Sequence, residues 1–543
     1  MLCAMVVPAT GTAATYVVTT TADGGPGSLR QAILDGNGDP ALDHVAFAIV
    51  DPAVPRIMPA SALPAISAPL EIDGTTQPSA GLVELDGSDT ASVAGLTITG
   101  GGSTVRGLVI NGFQTAAIAI SGVSGNVIEG NLIGTDVDGL TGLSTSAVGI
   151  DVADSPGHRI GGVAPESRNV ISGNNIGVYL HGAATVGNVI EGNFIGTEPS
   201  GFTAVANASH GVQVFLAGAN TIGGTDPGAG NVISGNLRDG IAISSSGGIV
   251  VQGNAIGIGP DLLTAVPNLR HGVRAFTGTH DTLVGGAGPN VIAFNGGSGI
   301  VVAANAGTGN TVRANSVHDN GLLGIDIGAS APTPNDVGDA DVGANLLQNF
   351  PVLDPLFSGG TKVSGVLDSV AGATFTIEVF TTSQCDATGY GEGAELVGTD
   401  TVSTDGTGHA GFTMLLDREV DATVEVLAAT VTDAAGNTSE LSLCAPPVPV
   451  TTTTTSSSTT SSSTTTTSAA ASTTTAVPAV PTCATSQLAA LVSEPDAGAG
   501  QRNATITFTN NGSAPCTMIG YIGMQLLAGN GNDIPTNVVR TPG

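Results

Sequence analysis

The chain has 543 residues, a formal charge of −31 and only 10% charged side chains. A single lysine, Lys362, beside twelve arginines leaves no basic footprint, which excludes nucleic-acid binding and adhesion to anionic lipid. With 41% hydrophobic residues, 80 glycines, 3% aromatics and no tryptophan, the composition suits short strands and tight turns rather than disorder.

Residues 1–14, MLCAMVVPATGTAA, read as the remnant of a secretory signal peptide whose positive n-region is missing. No later stretch reaches the ~18 consecutive apolar residues of a membrane span. DGGPGSLRQAILDGN follows. Its Ser28 and Gln31 have capping-box spacing for a short helix, with Leu29, Ala32 and Ile33 as the buried stripe. PLEIDGT (69–75), LVELDGS (82–88) and AAIAISG (116–122) have the texture of short strands ended by turns.

Exact repetition then sets in. NVIEGNLIGTD at 126–136 returns as NVIEGNFIGTE at 188–198. The landmark asparagines Asn131, Asn193, Asn254 and Asn315 are spaced by 62, 61 and 61 residues. A second series holds Asn174, Asn236 and Asn295, and Gly-Gly pairs begin at Gly161, Gly223 and Gly285. Interleaved, these landmarks divide each unit into three coils of about 20 residues, a solenoid period. Leucine-rich spacing is absent, and glycine interrupts any helical repeat. A parallel β-helix is therefore expected over 15–328, with about 14 or 15 turns and a length of about 70 Å. Asparagines recurring at one corner would stack as amide ladders along the axis.

YVVTTTADGGPGSLRQAILDGN resembles the CSLREA motif that opens exported bacterial right-handed β-helix proteins. IDGTTQPS, ELDGS, STVRGLVINGF and NVIEGNLIGTD are similar to stretches of the same proteins. The resemblance covers roughly residues 15–445. It implies right-handed coiling and an extracellular or surface location, with no settled activity.

Residues 329–350 read as an irregular acidic junction. From 351 to 445 alternation becomes antiparallel, as in TKVSGVLD, ATFTIEVFTT and HAGFTMLL, and predicts a β-sandwich of about six strands. ATVTDAAGNTSELS is similar to the closing strands of bacterial immunoglobulin-like modules. Residues 446–481 form a Ser/Thr/Pro-rich linker that includes 18 consecutive Ser or Thr at 451–468. Residues 482–543 resemble part of a β-rich domain of unknown function, common in exported proteins of high-GC Gram-positive bacteria. Cysteines fall two and two about the linker, predicting disulfides Cys385–Cys444 and Cys483–Cys516.

Chemistry is harder to find. Glu129 and Glu191 look like a carboxylate pair, but they would lie three coils and about 14 Å apart. Their later equivalents are Gln252 and Arg313, as expected of a solvated face. His181, His210 and His271 each precede glycine in LHG, SHG and RHG, which suits turn histidines. His158, Asn220 and His280 precede the Gly-Gly landmarks and look like variable turn residues. No HExxH, Walker loop or GxSxG elbow occurs. Asp336, Asp339 and Asp341, with Asn335 and Asn345, could supply oxygen ligands to Ca²⁺, the one cofactor considered; the plain alternative is a solvated acidic linker.

The expected fold is all-β: a right-handed parallel β-helix, a sandwich, a linker and a partial β-rich domain. The expected function is a secreted or cell-surface, adhesin-like scaffold without catalysis, since no convergent acid/base set occurs, that binds a glycan or protein partner at the β-helix face as a monomer. The alternative is a polysaccharide lyase or glycoside hydrolase, whose groups would converge from neighbouring coils, for example around Arg106, Asp136 and Asp138.

Overall fold

The computed structural model describes residues 12–445, apart from short gaps at 51–52, 79–80, 329–330, 356–359 and 422–423, together with short strand segments between 488 and 534. Two compact units emerge, residues 1–452 and 453–543. In the first, strands stack in three parallel sheets of eleven, ten and nine strands. This is a parallel β-helix of about eleven turns. At about 4.8 Å per turn it is about 50 Å long.

The coil length departs from the sequence expectation. Val127 pairs with Arg159, and Arg159 with Val189, so successive coils take 32 and 30 residues. The 62-residue unit is two coils of three strands each, not three coils of 20. The landmark series are different corners of the same coil pair, which is why they interleave.

Buried asparagines hold those corners. Asn131, Asn169, Asn193, Asn231, Asn254, Asn290 and Asn315 form one column, each side-chain amide donating to the next Oδ1 at 2.9–3.0 Å. Asn174, Asn207, Asn236, Asn268, Asn295 and Asn320 form a second. Each amide also bonds backbone carbonyls, such as Asn193 Nδ2 to Ile160 and Glu191, so the polar corner is buried and satisfied. Gly192 precedes one ladder residue at φ +67°, a left-handed turn that glycine makes without strain. Inside, branched residues stack in register: Ile128, Ile160, Ile190, Ile222 and Val251 are all fully buried.

The N-terminal helix spans Leu29–Gly36 and buries Leu29, Ala32 and Ile33. Ser28 Oγ accepts the Gln31 N–H at 3.2 Å. The reciprocal half of the capping box is absent, because Gln31 Nε2 donates to Asp35 Oδ1 instead.

At the other end, two three-stranded antiparallel sheets form the sandwich. Its core includes Val363, Phe375, Ile377, Val397 and Leu427. Cys385 and Cys444 are disulfide-bonded, with Cα atoms 6.1 Å apart. The sandwich closes the open end of the solenoid: Phe380, Ala428 and Leu441 join the solenoid's own core. Three buried glutamates accept backbone N–H groups of the last coil and of the junction that follows it. Glu378 takes Ala314, Glu392 takes Asp319 and Asn320, and Glu440 takes Ile327 and Thr333. The junction is more ordered than an acidic linker, since Asn345 Oδ1 accepts the Asn310 N–H and extends the stacking.

In the second unit, Leu488–Val492 pairs antiparallel with Ile506–Asn510. Residues 1–11, where a signal peptide was expected, residues 446–487, which include Cys483, and Cys516 lie outside the described residues.

Candidate functional site

The structure separates most of the sequence candidates. Glu129 and Glu191 are two coils apart, about 9.6 Å, rather than three. Gly161 stands between them in register with Glu191, and Glu129 is bound to Arg159 at 2.8 Å. Arg106 pairs with Glu71 at 2.8 Å and Asp73 at 2.7 Å on the first sheet. Asp136 lies in the loop leaving the second sheet, where Oδ1 accepts the N–H groups of Leu140 and Thr141. Asp138 is exposed in the same loop. Arg106, Asp136 and Asp138 therefore form no common site.

The calcium candidates are engaged in closing the junction. Asp339 accepts the Asn349 N–H at 3.0 Å and also bonds Gln348 and Ser369. Asp336 accepts the Ala340 N–H, Asn335 exchanges two bonds with the Phe350 backbone, and Asp341 is exposed. Among the described residues no three His, Cys, Asp or Glu converge as a metal site.

Two of the HG histidines do converge. Backbone bonds place His210, Asp239, His271 and Ser298 in one column on consecutive coils, at the edge of the third sheet. Asp239 is fully buried. Its Oδ1 accepts the His271 backbone N–H at 3.2 Å, and its Oδ2 lies 3.4 Å from His210 Nδ1. His271 Nδ1 accepts the Ser298 N–H, so its ring proton sits on Nε2. Burial lowers the proton affinity of both histidines, and Arg270 and Arg274 lower it further, against the opposing pull of Asp239.

His181 lies at the far end of the same sheet. Register carries one outward column through Asp151, Tyr179, Gln213, Ala242 and Arg274. A second runs through Ala153, His181, Phe215, Ser244 and Phe276. Alternation within VQVF and VRAF sends the valines and Ala275 inward and leaves Gln213, Phe215, Arg274 and Phe276 on the outer face. Tyr179 stacks on His181 with ring centroids 4.4 Å apart, and His181 Nε2 meets Asp151 at 2.9 Å. Burial raises the Asp151 carboxyl, with His181 opposing. The Arg274 guanidinium lies 4.5 Å above Phe276. Phe215 is 37% exposed. The result is a face carrying aromatic rings, amide, imidazole and guanidinium groups on a flat, rigid sheet. Sequence reasoning missed Tyr179, Phe215, Arg274 and Phe276, because only the correct coil length of about 31 residues aligns them.

A family model described as a domain of unknown function (DUF4232) matches residues 483–543. No curated protein matches the chain. Among solved structures, the Dettilon tailspike protein gp208 is 14% identical over 76% of this chain and 92% of its own, with TM-score 0.34. Tailspike protein 2 of Escherichia coli O157:H7 bacteriophage CAB120 is 10% identical over 76% and 65%, with TM-score 0.29. The A-module of the Azotobacter vinelandii mannuronan C-5 epimerase AlgE4 is 14% identical over 53% and 79%, with TM-score 0.26. At these values the likenesses carry no functional argument.

Proposed function

We propose that the protein is a secreted or cell-surface scaffold that binds glycans along the outer face of the third sheet, without catalysis. In this reading the sandwich is an immunoglobulin-like module that closes the solenoid, and the Ser/Thr segment is a stalk. The observation that carries it is the placement of Tyr179, Phe215 and Phe276 on one outward sheet face of a chain with 3% aromatics. The C–H face of a sugar ring packs on an aromatic ring, while flanking polar groups bond its hydroxyls. Gln213, His181 and Asp151 supply those groups, and the parallel sheet fixes their spacing in advance of binding.

Cleavage of the same polymer is the second reading. It is favoured by the close approach of His210 and Asp239 beside the face. Affinity electrophoresis of the full chain in gels containing neutral and acidic polysaccharides tests the first reading, with assays for new reducing ends and unsaturated products run in parallel. Retardation by a polymer without products, reduced at least tenfold in affinity by Tyr179→Ala with Phe215→Ala, is the expected result. Product formation would replace the scaffold with an enzyme. No retardation by any polymer would remove the glycan reading.

A further inference from the structure

The last two coils break the pattern of the corner held by the second asparagine column. Gly173 stands before Asn174 and Gly235 before Asn236, both in left-handed backbone with φ of +72° and +75°. Before Asn295 and Asn320 the same conformation falls on Phe294 and Asp319, with φ of +61° and +55°. It is disfavoured for residues with a Cβ, and most of all for a bulky one. Both residues line one cavity of about 670 Å³, to which the last coil adds Leu322 and Asp326 and the sandwich adds Asp386 and Glu392. Ligand cavities commonly measure about 300–1,000 Å³.

Asp326 is the unusual group in this wall. It is 5% exposed and stands in register with Val301 of the preceding coil, on the outward column of the third sheet. Its Oδ2 lies 3.3 Å from Ser298 Oγ, and its Oδ1 has no hydrogen-bond partner among the described residues. Buried carboxylates are normally paired or hydrogen-bonded at both oxygens. Burial pushes the Asp326 pKa up to about 6, as expected of a carboxyl without a counter-charge. No lysine or arginine is among the described residues that line the cavity. The other acids have partners. Glu392 accepts the N–H groups of Asp319 and Asn320, Asp319 meets His318 Nδ1 at 2.8 Å, and Asp386 Oδ1 accepts the Thr388 N–H at 2.6 Å.

We infer that this cavity binds a protonated amine, whose ammonium donates to the Asp326 carboxylate while its carbon skeleton lies against Phe294 and Leu322. An ammonium carries up to three donors and is attracted to an aromatic ring, which suits a carboxylate with one free oxygen beside a phenylalanine. A metal ion suits it less, since it needs several oxygen ligands and no three His, Cys, Asp or Glu converge among the described residues. Asp319 and Asp386 add negative charge that draws a cation toward the cavity. The site uses none of the groups assigned to glycan binding, so the two readings stand or fall separately.

Equilibrium titration of the full chain tests it. Glucosamine and cadaverine serve as free amines, chitosan oligomers and polylysine as amines carried on a polymer, each beside its N-acetylated form. At least one amine is expected to bind at least tenfold more tightly than its acetylated form, and the arm that does so identifies a free or a polymer-borne source. Asp326→Asn, which can keep the bond to Ser298, should remove the preference without lowering the thermal midpoint of the free chain. Leu322→Arg, at an exposed position, should remove it by placing a tethered cation in the cavity, and decides the matter if Asp326→Asn folds poorly. General attraction of amines to a molecule of charge −31 would survive the loss of one carboxylate. A preference that persists in Asp326→Asn therefore overturns the site. So does equal binding of amines and acetylated forms, or binding of none.

Discussion

His158 interrupts a column of asparagines, and its chemistry makes the column sensitive to pH. Asn126 donates its N–H to His158 Nδ1 at 3.1 Å, His158 donates its own to Asn188 Oδ1 at 2.8 Å, and Asn188 to Asn220 Oδ1 at 2.9 Å. The ring is 2% exposed, and burial pushes its pKa down to about 4. An unfolded imidazole takes up a proton below about pH 6.5, whereas the native one resists until about pH 4. Stability is therefore lost as pH falls through that window, by up to about 3 kcal/mol at about 1.4 kcal/mol per unit. His158→Asn should remove this component of acid sensitivity. Urea melts of both proteins at pH 7 and pH 4.5 check it, and equal losses in the two would contradict it. Among the ladder asparagines, Asn231→Ala strips bonds to Asn254 Oδ1 and the Ile190 carbonyl in a fully enclosed corner. A loss of about 2–4 kcal/mol is expected from the groups left unpaired, read as a lower thermal midpoint.

At the scale of elements, the sandwich behaves as the cap of the solenoid. Without it, the last coil would expose strand edges and the N–H groups now held by Glu378, Glu392 and Glu440. A fragment ending at residue 350 should self-associate in light scattering, and a stable monomer would contradict the capping role. Burial raises Glu440 to about 7. Its native form holds a proton that the unfolded chain releases near pH 4.5, so its contribution is full below about 4.5 and is lost as pH rises through about 7. Exchange protection at Ile327 and Thr333, corrected for intrinsic rate, should fall between pH 5 and pH 8, opposite in sign to the His158 effect. The N-terminal helix was legible because Ser28, Leu29 and Ile33 act within one turn. The Cys385–Cys444 bridge was legible from the placement of cysteines about the linker. Coil length was not, because Asn131 and Asn169 share a column whose members are 38 and 24 residues apart in turn, and loop length hides that regularity. The outward face was lost with it. Tyr179 meets Gln213 only through register between coils, which no local pattern within either strand announces.

For the whole molecule, a rigid stack about 50 Å long presents three faces of different character. The first carries Glu71, Asp73, Glu129, Arg106 and Arg159 in ion pairs closed on one another. Partly exposed pairs of this kind contribute little to stability. The loops leaving the second sheet spend Asp136 and Glu198 on their own backbone N–H groups. The third sheet carries Tyr179, Gln213, Phe215, Arg274 and Phe276 on its outer face, and the proposed binding lies there. No helix among the described residues is long and apolar enough to cross a membrane. The most direct test is hydrogen–deuterium exchange of the full chain with and without a polysaccharide that retards it. Protection confined to the strands around Asp151, Tyr179, Gln213, Ala242 and Arg274 is expected. Protection on the first sheet, on the loops holding Asp136 and Glu198, or on the sandwich alone would contradict it.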